Sequence, residues 1–343
     1  MDSSTDTASQ EQAVARIFNS SIAAAAIGAA WEVGLLDQLR EQKKLDVQGF
    51  ATQHDLDSRS TSGLVMALAV VDVVRREPGT NTIIVPGGLL DEALRTASLF
   101  HWLALGSGGL FSRMHCILRK DRTYQRDSAA VAFASRGANM TFFDPIFFAA
   151  MDRHQSEFHS VVDLGSGSGE RLMKTLERYP GTTGLGVDIA APAIEVAEAE
   201  SAKRGLGHRL SFTIGDVCDL TYREEFANVD LVTCFLMGHD FWPRDNCVAT
   251  LQQISRAFPR ARRFFLGDTT RILLDDPTGR HAVTEHNVPI FTLGFEFGHA
   301  LMGASLPTID DWEGVFAEGG WRCVDRHLVQ PPSLSVIFEL ERA

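Results

Sequence analysis

The spacing of apolar residues divides the chain into a helical front part and a back part in which strands and helices alternate. From Ala13 to about Arg95, apolar residues recur at the spacing of helices, first in AVARIFNSSIAAAAIGAAWEVGLLDQL and then in LDVQGFATQHDLDSRSTSGLVMALAVVDVV. The segment REPGTNTIIVPGG is typical of a turn and a short hairpin. Residues 1–12 are polar and acidic, so we predict a disordered tail there.

Short helices followed by a small hairpin predict a winged-helix domain over residues 13–105. In an acidic protein, such a domain more often mediates association between subunits than DNA binding. Residues 106–155 are again helical in pattern. We expect them to link the two parts of the chain and to roof a ligand pocket.

The back part, residues 156–343, has seven strand candidates, and helical patterns separate the first five. The strands are predicted over 160–165, 184–189, 210–216, 229–236, 262–268, 321–329 and 334–342. This alternation predicts an α/β fold with a Rossmann-like, doubly wound sheet, which binds ligands at the carboxyl ends of its strands. The last two candidates have no helix between them and predict a closing antiparallel pair.

The composition limits the partners of such a protein. The chain has 343 residues, 45% of them hydrophobic, and its 32 Lys and Arg against 44 Asp and Glu give a net charge of −12. This charge disfavours nucleic acid and anionic membranes as partners, and the longest uncharged run, residues 96–112, is a poor membrane span. The five cysteines form no CxxC pair, as expected of reduced thiols. We predict a cytoplasmic protein that binds small molecules.

The strongest chemical signal is VVDLGSGSGE, residues 161–170, where a buried strand runs into a glycine loop and then a helix. Glycines there permit a tight turn and let a ligand lie against bare backbone near a helix start. Asp163 precedes the loop and suits a cationic ammonium or sulfonium ligand. Asp188 ends the second strand, where a carboxylate can accept both ribose hydroxyls, and Asp216 ends the third, near an adenine amino group. The glycines are Gly165, Gly167 and Gly169.

This pattern resembles the class I S-adenosylmethionine (SAM)-dependent methyltransferases over about residues 155–343. The resemblance implies a seven-stranded sheet whose last strand is antiparallel, and SAM as the cofactor. It also implies that Ile189, Val217 and Phe235, which adjoin the strand ends, contact SAM. A nicotinamide-binding Rossmann domain, or glycines that serve only as turns, are the alternatives.

After the fourth predicted strand, MGHDFWPRDNCVATL resembles the His-Asp-Trp segment of the dimeric small-molecule O-methyltransferases, which also have a winged-helix front. In those enzymes the histidine is the general base. The resemblance implies a homodimer and a catalytic role for His239. Asp240 would orient a water molecule or take part in proton removal, or would merely cap the following helix. The residues Phe241, Trp242 and Pro243 depart from the simple Trp of those enzymes.

A second segment, TEHNVPIFTLGFEFGHALMG, holds His286 and His299. Together with GHDFWPRDN it resembles the metal-dependent 2-oxo acid C3-methyltransferases of nonribosomal peptide antibiotic biosynthesis, which act on acids such as phenylpyruvate or 4-methyl-2-oxopentanoate. This resemblance implies a metal ion, iron or zinc, held by two or three histidines. Of the candidates, His239 matches first, His299 next and His286 last, and His281 is a fourth possibility. The alternatives are hydrogen-bonded core histidines, and metal-independent O-methylation of a phenolic or hydroxylated metabolite with His239 as the base.

The substrate carboxylate is expected to meet an arginine, because a guanidinium group pairs bidentately with a carboxylate. Arg126 is the first candidate and Arg122 the second, unless both belong to a solvated face. Phe143 and Phe297 are candidates for a hydrophobic substrate pocket, unless they are plain core. A DNA-binding regulator with a ligand-sensing back domain is a non-enzymatic alternative that the acidic charge disfavours.

Overall fold

The computed structural model describes residues 3–80, 82–154, 158–272, 283–329 and 335–343, with side chains from residue 9 onward. The chain forms two compact units, Met1–Ala138, here the helical unit, and Asn139–Ala343, here the sheet unit. The predicted linking region, residues 106–155, is divided between the two units. His281, the fourth histidine candidate, lies outside the described residues.

The helical unit consists of eight described helices around a small antiparallel sheet. The helices are α1 (Ser3–Glu32), α2 (Leu35–Gln42), α3 (Val47–Gln53), α4 (Ser58–Val70), α5 (Leu90–His101), α6 (Gly108–Ser112), α7 (Met114–Ile117) and α8 (Ser128–Ala138), with a π-helical turn at Trp102–Gly106. The strands are β1 (Leu45–Asp46), β2 (Val74–Arg76) and β3 (Ile83–Pro86), in the order β1-β3-β2.

Side-chain caps explain where two helices of this unit, α3 and α4, begin. The side chain of Asp46 accepts a hydrogen bond from the Gly49 amide at 3.0 Å, and Asp57 accepts one from the Ser60 amide at 2.7 Å, so that both act as N-caps. β2 and β3 pair antiparallel, which confirms the predicted hairpin. The winged-helix assignment itself stays a prediction.

Helix α1 begins at Ser3, whereas we predicted a disordered tail over residues 1–12. The helical backbone thus extends beyond the first apolar residues of the pattern, and residues 9–12 of this extension are exposed. All residues from 9 to 22 are exposed. They include four apolar side chains at helical spacing, here called the α1 face: Val14, Ile17, Phe18 and Ile22, which are 55–73% exposed.

The stretch Ser9–Glu32 of α1 is long and apolar enough to cross a membrane, with a mean hydropathy of 1.4. It is a different segment from residues 96–112, which we judged a poor span. Helices in the core of a soluble protein reach the same length and hydropathy, so this property by itself is weak evidence for a membrane span.

The sheet unit alternates strands and helices, as predicted. Its helices are α9 (Asp144–Met151), α10 (Glu170–Arg178), α11 (Ala191–Lys203), α12 (Arg244–Ala257), α13 (Thr292–Met302) and α14 (Ile309–Phe316). Its strands are β4 (Ser160–Leu164), β5 (Thr183–Asp188), β6 (Leu210–Ile214), β7 (Leu231–Phe235), β8 (Arg263–Thr269), β9 (Trp321–Leu328) and β10 (Ser335–Arg342). Short turns are π-helical at Asn139–Phe143 and 3₁₀ at Asp152–His154, Val217–Asp219, Glu224–Phe226 and Gly238–Phe241.

The seven strands form one sheet in the order β6-β5-β4-β7-β8-β10-β9. The pairs among β4 to β8 are all parallel, whereas β10 is antiparallel to both β8 and β9. The predicted α/β methyltransferase-like sheet with an antiparallel last strand is therefore confirmed. The carboxyl ends of β4, β5, β6, β7 and β8 meet at one edge, here the carboxyl edge.

Helix α9 packs into the core of the sheet unit. Its Phe147 and Met151 are completely buried, and Phe147 meets Phe235 and Phe265 of the sheet edge-on, with ring centroids 5.2 and 5.5 Å apart. This apolar packing is the physical reason why residues 139–155, predicted as part of a separate linking region, belong to the sheet unit.

Candidate active site

The glycine loop between β4 and α10 keeps an open surface at the carboxyl edge. Gly165, Gly167 and Gly169 have φ angles of 71°, 52° and 73°, which glycine adopts without strain. A Cβ atom at Gly167 would meet no other atom within 4 Å, so a ligand can lie against the backbone there. A Cβ atom at Gly169 would lie 2.6 Å from the ring of Phe212, so this glycine is required for packing.

Asp188, at the end of β5, connects this strand to the glycine loop. Its Oδ2 accepts a hydrogen bond from the Gly167 amide at 2.8 Å, and its Oδ1 accepts one from the Ala190 amide at 2.9 Å. The next residue, Ile189, is 68% exposed and offers an apolar surface at the same edge. Asp188 thus holds the loop in shape while it stays only half-buried beside the open surface.

Asp216 and Val217 follow β6 at the same edge. The exposed Asp216 carboxylate accepts a hydrogen bond from the Cys218 amide at 2.9 Å and caps the 3₁₀ turn there. Val217 is buried in the core and supports this turn. Asp216 is therefore accessible to a ligand, whereas Val217 is mainly structural in this structure.

Asp163 is buried beneath the glycine loop, where it accepts a hydrogen bond from Thr233 Oγ1 at 2.6 Å. Burial raises the pKa of Asp163 to about 6, although the nearby positive charge of Arg171 opposes this shift. Arg171 pairs with Asp144 at 3.2 Å and stacks on the ring of Phe235, 3.6 Å from its centroid. The predicted cofactor contact Phe235 is therefore a buried ring covered by Arg171.

These features fit SAM. The open backbone at Gly167 and the exposed Ile189 leave room for a flat adenosine, and carboxylates at the ends of β5 and β6 match its hydroxyl and amino donors. Asp163, near the end of β4, provides negative charge for the cationic end of the cofactor. The predicted acids Asp163, Asp188 and Asp216 all lie at one edge of the sheet.

A buried histidine–aspartate pair lies at the neighbouring strand ends. Asp268 near the end of β8 is completely buried, and its Oδ1 lies 3.0 Å from Nδ1 of His239. Its Oδ2 accepts a hydrogen bond from the backbone amide of His239 at 2.6 Å. The side chain of His239 is only 9% exposed. Asp268 thereby places the ring proton on Nδ1 and directs the lone pair of Nε2 away from the carboxylate.

His299 of α13 lies beside His239, with the two ring centroids 4.8 Å apart and the ring planes nearly perpendicular. The Nδ1 atom of His299 lies 2.7 Å from the carbonyl oxygen of Phe295, one helical turn earlier. This contact places the ring proton on Nδ1 here too, so that Nε2 carries the lone pair. The ring of Phe295 contacts both imidazoles, with centroids 5.2 Å from His239 and 4.2 Å from His299.

The third predicted histidine does not join this pair in the structure. His286 is exposed in a turn, where its backbone amide donates to Thr284 Oγ1 at 3.3 Å. Within the described ranges, one group of three potential ligands has all its ligand atoms within 4.8 Å of one another, and it lies elsewhere. That group is Asp325, His327 and Glu339.

The structure gives two acids near His239 roles that the sequence analysis did not assign. Asp240 is exposed in the 3₁₀ turn Gly238–Phe241 and does not cap α12, whose N-cap is Pro243. Asp268 was not among the predicted site residues. It ends a predicted strand next to the strand that leads to His239, so the strand-end rule that identified Asp188 and Asp216 also applies to Asp268.

The predicted substrate-binding residues fall in both units. Arg122 is exposed and Arg126 half-buried, both in the helical unit. In the sheet unit, Phe143 is buried and meets Phe235 edge-on at 5.9 Å, as part of the core. Phe297 is 39% exposed on α13 and remains accessible to a ligand.

The fold and the site define a SAM-dependent methyltransferase, and comparison with known proteins agrees. Residues 161–259 match the sequence model of the methyltransferase domain. The chain is 60% identical to Methyltransferase ungE' of Aspergillus campestris over 334 residues, which are 96% of this chain and 97% of the relative. It therefore belongs to the methyltransferase family.

Two further proteins are more distant. Indolepyruvate C-methyltransferase of Streptomyces griseus is 27% identical over 341 residues, 96% of this chain and 95% of that protein. Human N-acetylserotonin methyltransferase, solved in complex with SAM, shares the fold with a TM-score of 0.64 and 16% identity over 96% of this chain and 97% of its own.

Proposed function

We propose that this enzyme transfers the methyl group of SAM to C3 of a 2-oxo acid with an apolar side chain, in the biosynthesis of a secondary metabolite such as a nonribosomal peptide. The observation that carries the proposal is the pair of adjacent imidazoles, the buried His299 and the largely buried His239, whose side chain is 9% exposed. Each has its Nδ1 atom engaged by an acceptor of the protein.

The two imidazoles fit a metal site, because the carboxylate–histidine arrangement of Asp268 and His239 is the usual support of a metal ligand. His239 and His299 would hold an iron or zinc ion, and substrate and water would supply the other ligands. Such an ion would act as a Lewis acid on the oxygens of a 2-oxo acid and stabilise the negative charge of its enolate.

The reaction removes a proton from C3 and forms one carbon–carbon bond. The electron pair of the C3–H bond becomes that of the enolate, which attacks the methyl carbon of SAM. The sulfur keeps the electron pair of the broken S–CH₃ bond, and S-adenosylhomocysteine leaves. Asp240, exposed next to His239, is our candidate to accept the C3 proton.

The surroundings of His239 favour an apolar substrate side chain. The rings of Phe291 and Phe295 lie 5.0 Å apart, and Phe295 also contacts His239. The Streptomyces griseus relative is named for indolepyruvate, a 2-oxo acid with an aromatic side chain, and for methylation on carbon. Aromatic 2-oxo acids such as phenylpyruvate are therefore the first substrates to test, followed by 4-methyl-2-oxopentanoate.

A metal-independent O-methyltransferase is the second candidate, and the His239–Asp268 pair favours it. A carboxylate on Nδ1 raises the basicity of Nε2, which is the arrangement of a general base for a phenol or other hydroxyl group. In this reaction the hydroxyl oxygen attacks the methyl group and His239 takes the proton. His299 would then be a packing residue.

The test is to incubate the protein with SAM and a panel of 2-oxo acids and phenols, with and without 1,10-phenanthroline. C-methylated oxo acid, identified by mass and NMR, that disappears with the chelator and returns with added Fe²⁺ or Zn²⁺ supports the proposal. Oxo acid methylation that survives complete metal removal contradicts the metal-held enolate. Methylation of phenols alone would favour the second candidate.

Substitution of the histidines separates the two candidates further. In the metal-dependent reaction, His239→Ala and His299→Ala each abolish turnover and lower the metal content of the purified protein. In the base-catalysed reaction, only His239→Ala abolishes turnover. His286→Ala is the matched control, because this exposed histidine lies outside the pair and its loss should leave both readouts unchanged.

A further inference from the structure

The chain leaves β7 towards His239 in a backbone conformation that is unusual for its residue. Leu236, the first residue after β7, has a φ of 54°, which a leucine seldom adopts because its side chain crowds the backbone there. Its amide donates a hydrogen bond to the carbonyl oxygen of Gly267 in β8 at 2.9 Å. The neighbouring strand thus fixes the direction of the turn, and such constrained residues are concentrated at active sites.

The next residue, Met237, lies with its side chain on the glycine loop. A Cβ atom at Gly165 would lie 2.7 Å from Sδ of Met237 and 3.5 Å from its Cβ and Cγ atoms. The side chain therefore covers Gly165, the residue that directly follows β4. A larger residue at position 165 would displace the thioether, so this glycine is what allows Met237 to pack against the loop.

Met237 is also part of the turn that carries His239. Its carbonyl oxygen accepts a hydrogen bond from the amide of Asp240 at 2.9 Å, which closes the turn around His239. The side chain of Met237 packs against the core of the sheet unit but is only half-buried. It therefore keeps an accessible apolar surface, in contrast to the completely buried residues of that core.

These contacts bring Met237 to the path of the transferred methyl group. The methyl carbon and the acceptor atom must approach in line to within roughly 3–3.5 Å. Asp163, two residues before Gly165, attracts the cationic end of SAM, and both candidate reactions have the acceptor at His239, two residues after Met237. A side chain that covers Gly165 and belongs to the turn of His239 therefore lies beside the space between donor and acceptor.

We propose that Met237 is a specificity-determining residue for the methyl donor, which contacts the methyl group of SAM and excludes larger alkyl groups on the sulfonium. A methionine side chain is uncharged and adaptable in shape. It can fill the space beside a sulfonium without adding a charge or a competing base. The inference rests on His239 lying at the acceptor, as in both candidate reactions, but not on which acceptor the enzyme uses.

The probe is S-adenosyl-L-ethionine, which carries an ethyl group in place of the methyl group of SAM. Calorimetry of the full-length protein without an acceptor gives the affinities of both compounds. One extra methylene changes affinity by roughly 10- to 200-fold in a close-fitting pocket, so wild type should bind the ethyl compound at least about tenfold more weakly than SAM. Met237→Ala should reduce this ratio to about threefold or less, because it removes the wall. Met237→Leu conserves the bulk and should preserve the ratio, as should the control Met66→Ala, which truncates an exposed methionine of α4.

A second measurement detects the contact in the wild-type protein, whether or not Met237→Ala folds. The methionine methyl groups are labelled with carbon-13, and Met237→Leu assigns the NMR signal of Met237. This signal should differ between the complexes with SAM and with S-adenosylhomocysteine, which lacks the methyl group, whereas the signal of Met66 should be the same in both. Equal wild-type affinities for the two sulfonium compounds, an unchanged ratio in a folded Met237→Ala, or identical Met237 signals in the two complexes would each overturn the proposal. All of these are binding measurements, so they remain decisive even if neither 2-oxo acids nor phenols are methylated.

Discussion

Asp268 holds His239 at two points, with Oδ1 3.0 Å from the ring Nδ1 and Oδ2 2.6 Å from the backbone nitrogen. A single buried carboxylate thus fixes both the turn after β7 and the orientation of the imidazole. Because β7 and β8 are adjacent and parallel, the sheet itself sets this distance. Asp268 touches no reacting atom and is a positioning residue in both proposed reactions.

Asp268→Asn should lower kcat about 10- to 100-fold with little change in SAM affinity. The asparagine oxygen can still accept from the His239 amide, but its NH₂ group would donate to Nδ1 and move the ring proton to Nε2. Activity measurements and SAM titration calorimetry check this expectation. A parallel loss of SAM affinity and of the thermal midpoint would show that Asp268 is only structural.

SAM affinity should depend on pH through Asp163. Burial raises the pKa of this carboxyl to about 6, so the ligand-free protein binds a proton there below that pH. A cationic ligand favours the ionised form, and SAM affinity should therefore be constant above about pH 7 and fall about tenfold per pH unit below pH 6. Calorimetry between pH 5 and 8 measures this directly.

Asp163→Asn is the control for this pH dependence. It should lower SAM affinity at pH 7.5. It should also flatten the dependence of SAM affinity on pH, since asparagine binds no proton that competes with the cationic ligand. In the ligand-free wild type, the raised pKa means that Asp163 favours folding below its ordinary pKa and that this contribution is lost as pH rises through about 6. A wild-type affinity that is the same at pH 5 and pH 8 would contradict the role of Asp163.

Gly167→Ala and Gly169→Ala should impair different properties of the protein, SAM binding in the first variant and stability in the second. Both positions have positive φ, which costs an alanine about 1–2 kcal/mol. The new methyl group at 167 enters open space and should mainly weaken SAM binding, whereas that at 169 lies 2.6 Å from Phe212 and should mainly lower stability. Urea denaturation and SAM titration of both variants separate these effects, and equal losses of stability would contradict the open surface at Gly167.

Glu339 should stabilise the sheet unit in a pH-dependent way. Burial alone would raise its pKa, but a hydrogen bond from His327 and nearby positive charges lower it to about 2. These charges belong to His154, Arg263 and Arg153. A depressed pKa stabilises the fold above the ordinary carboxyl pKa, and this contribution is lost as pH falls towards 2.

Glu339→Gln should therefore reduce the free energy of unfolding at pH 7, and the difference from wild type should shrink as pH falls below about 4.5. Urea titrations at pH 3, 5 and 7 measure the difference. Glu313→Gln, which removes an exposed partner of Arg326, should have a much smaller effect. A Glu339→Gln deficit that is as large at pH 3 as at pH 7 would assign the loss to packing.

The α1 face supports our proposal of a homodimer. Four exposed apolar side chains follow one side of a long helix, and burial of each stabilises an interface by about 1–2 kcal/mol. Phe18→Glu should convert a dimer to a monomer in light scattering after gel filtration. Gln12→Glu adds the same charge on the opposite side of the helix and should leave the dimer intact. A wild-type protein that is monomeric at micromolar concentration would contradict the homodimer.

The sheet unit could be predicted from the sequence because strands such as β4 and β7 are short apolar runs bounded by turn residues. The glycine loop and the acids after it were identifiable for the same reason, since strand ends are visible in the pattern. The partner of His239 was missed because its strand is distant along the chain. The distance between His239 and His299 depends on how α13 packs against the turn after β7, which spacing alone does not determine. The start of α1 was missed because exposed polar residues carry no periodic signal.

The position of β10 in the sheet has a consequence for folding during synthesis on the ribosome. This strand follows β8 and β9 along the chain but lies between them in the sheet. Until residues 335–342 have emerged, β8 is therefore paired on its β7 side alone, and β9 lacks the neighbour that joins it to the sheet. The glycine loop and His239 are translated before that point and therefore belong to an incomplete sheet until β10 has paired. The nascent sheet unit therefore depends on this strand to cover the open edges of β8 and β9, which would otherwise favour aggregation.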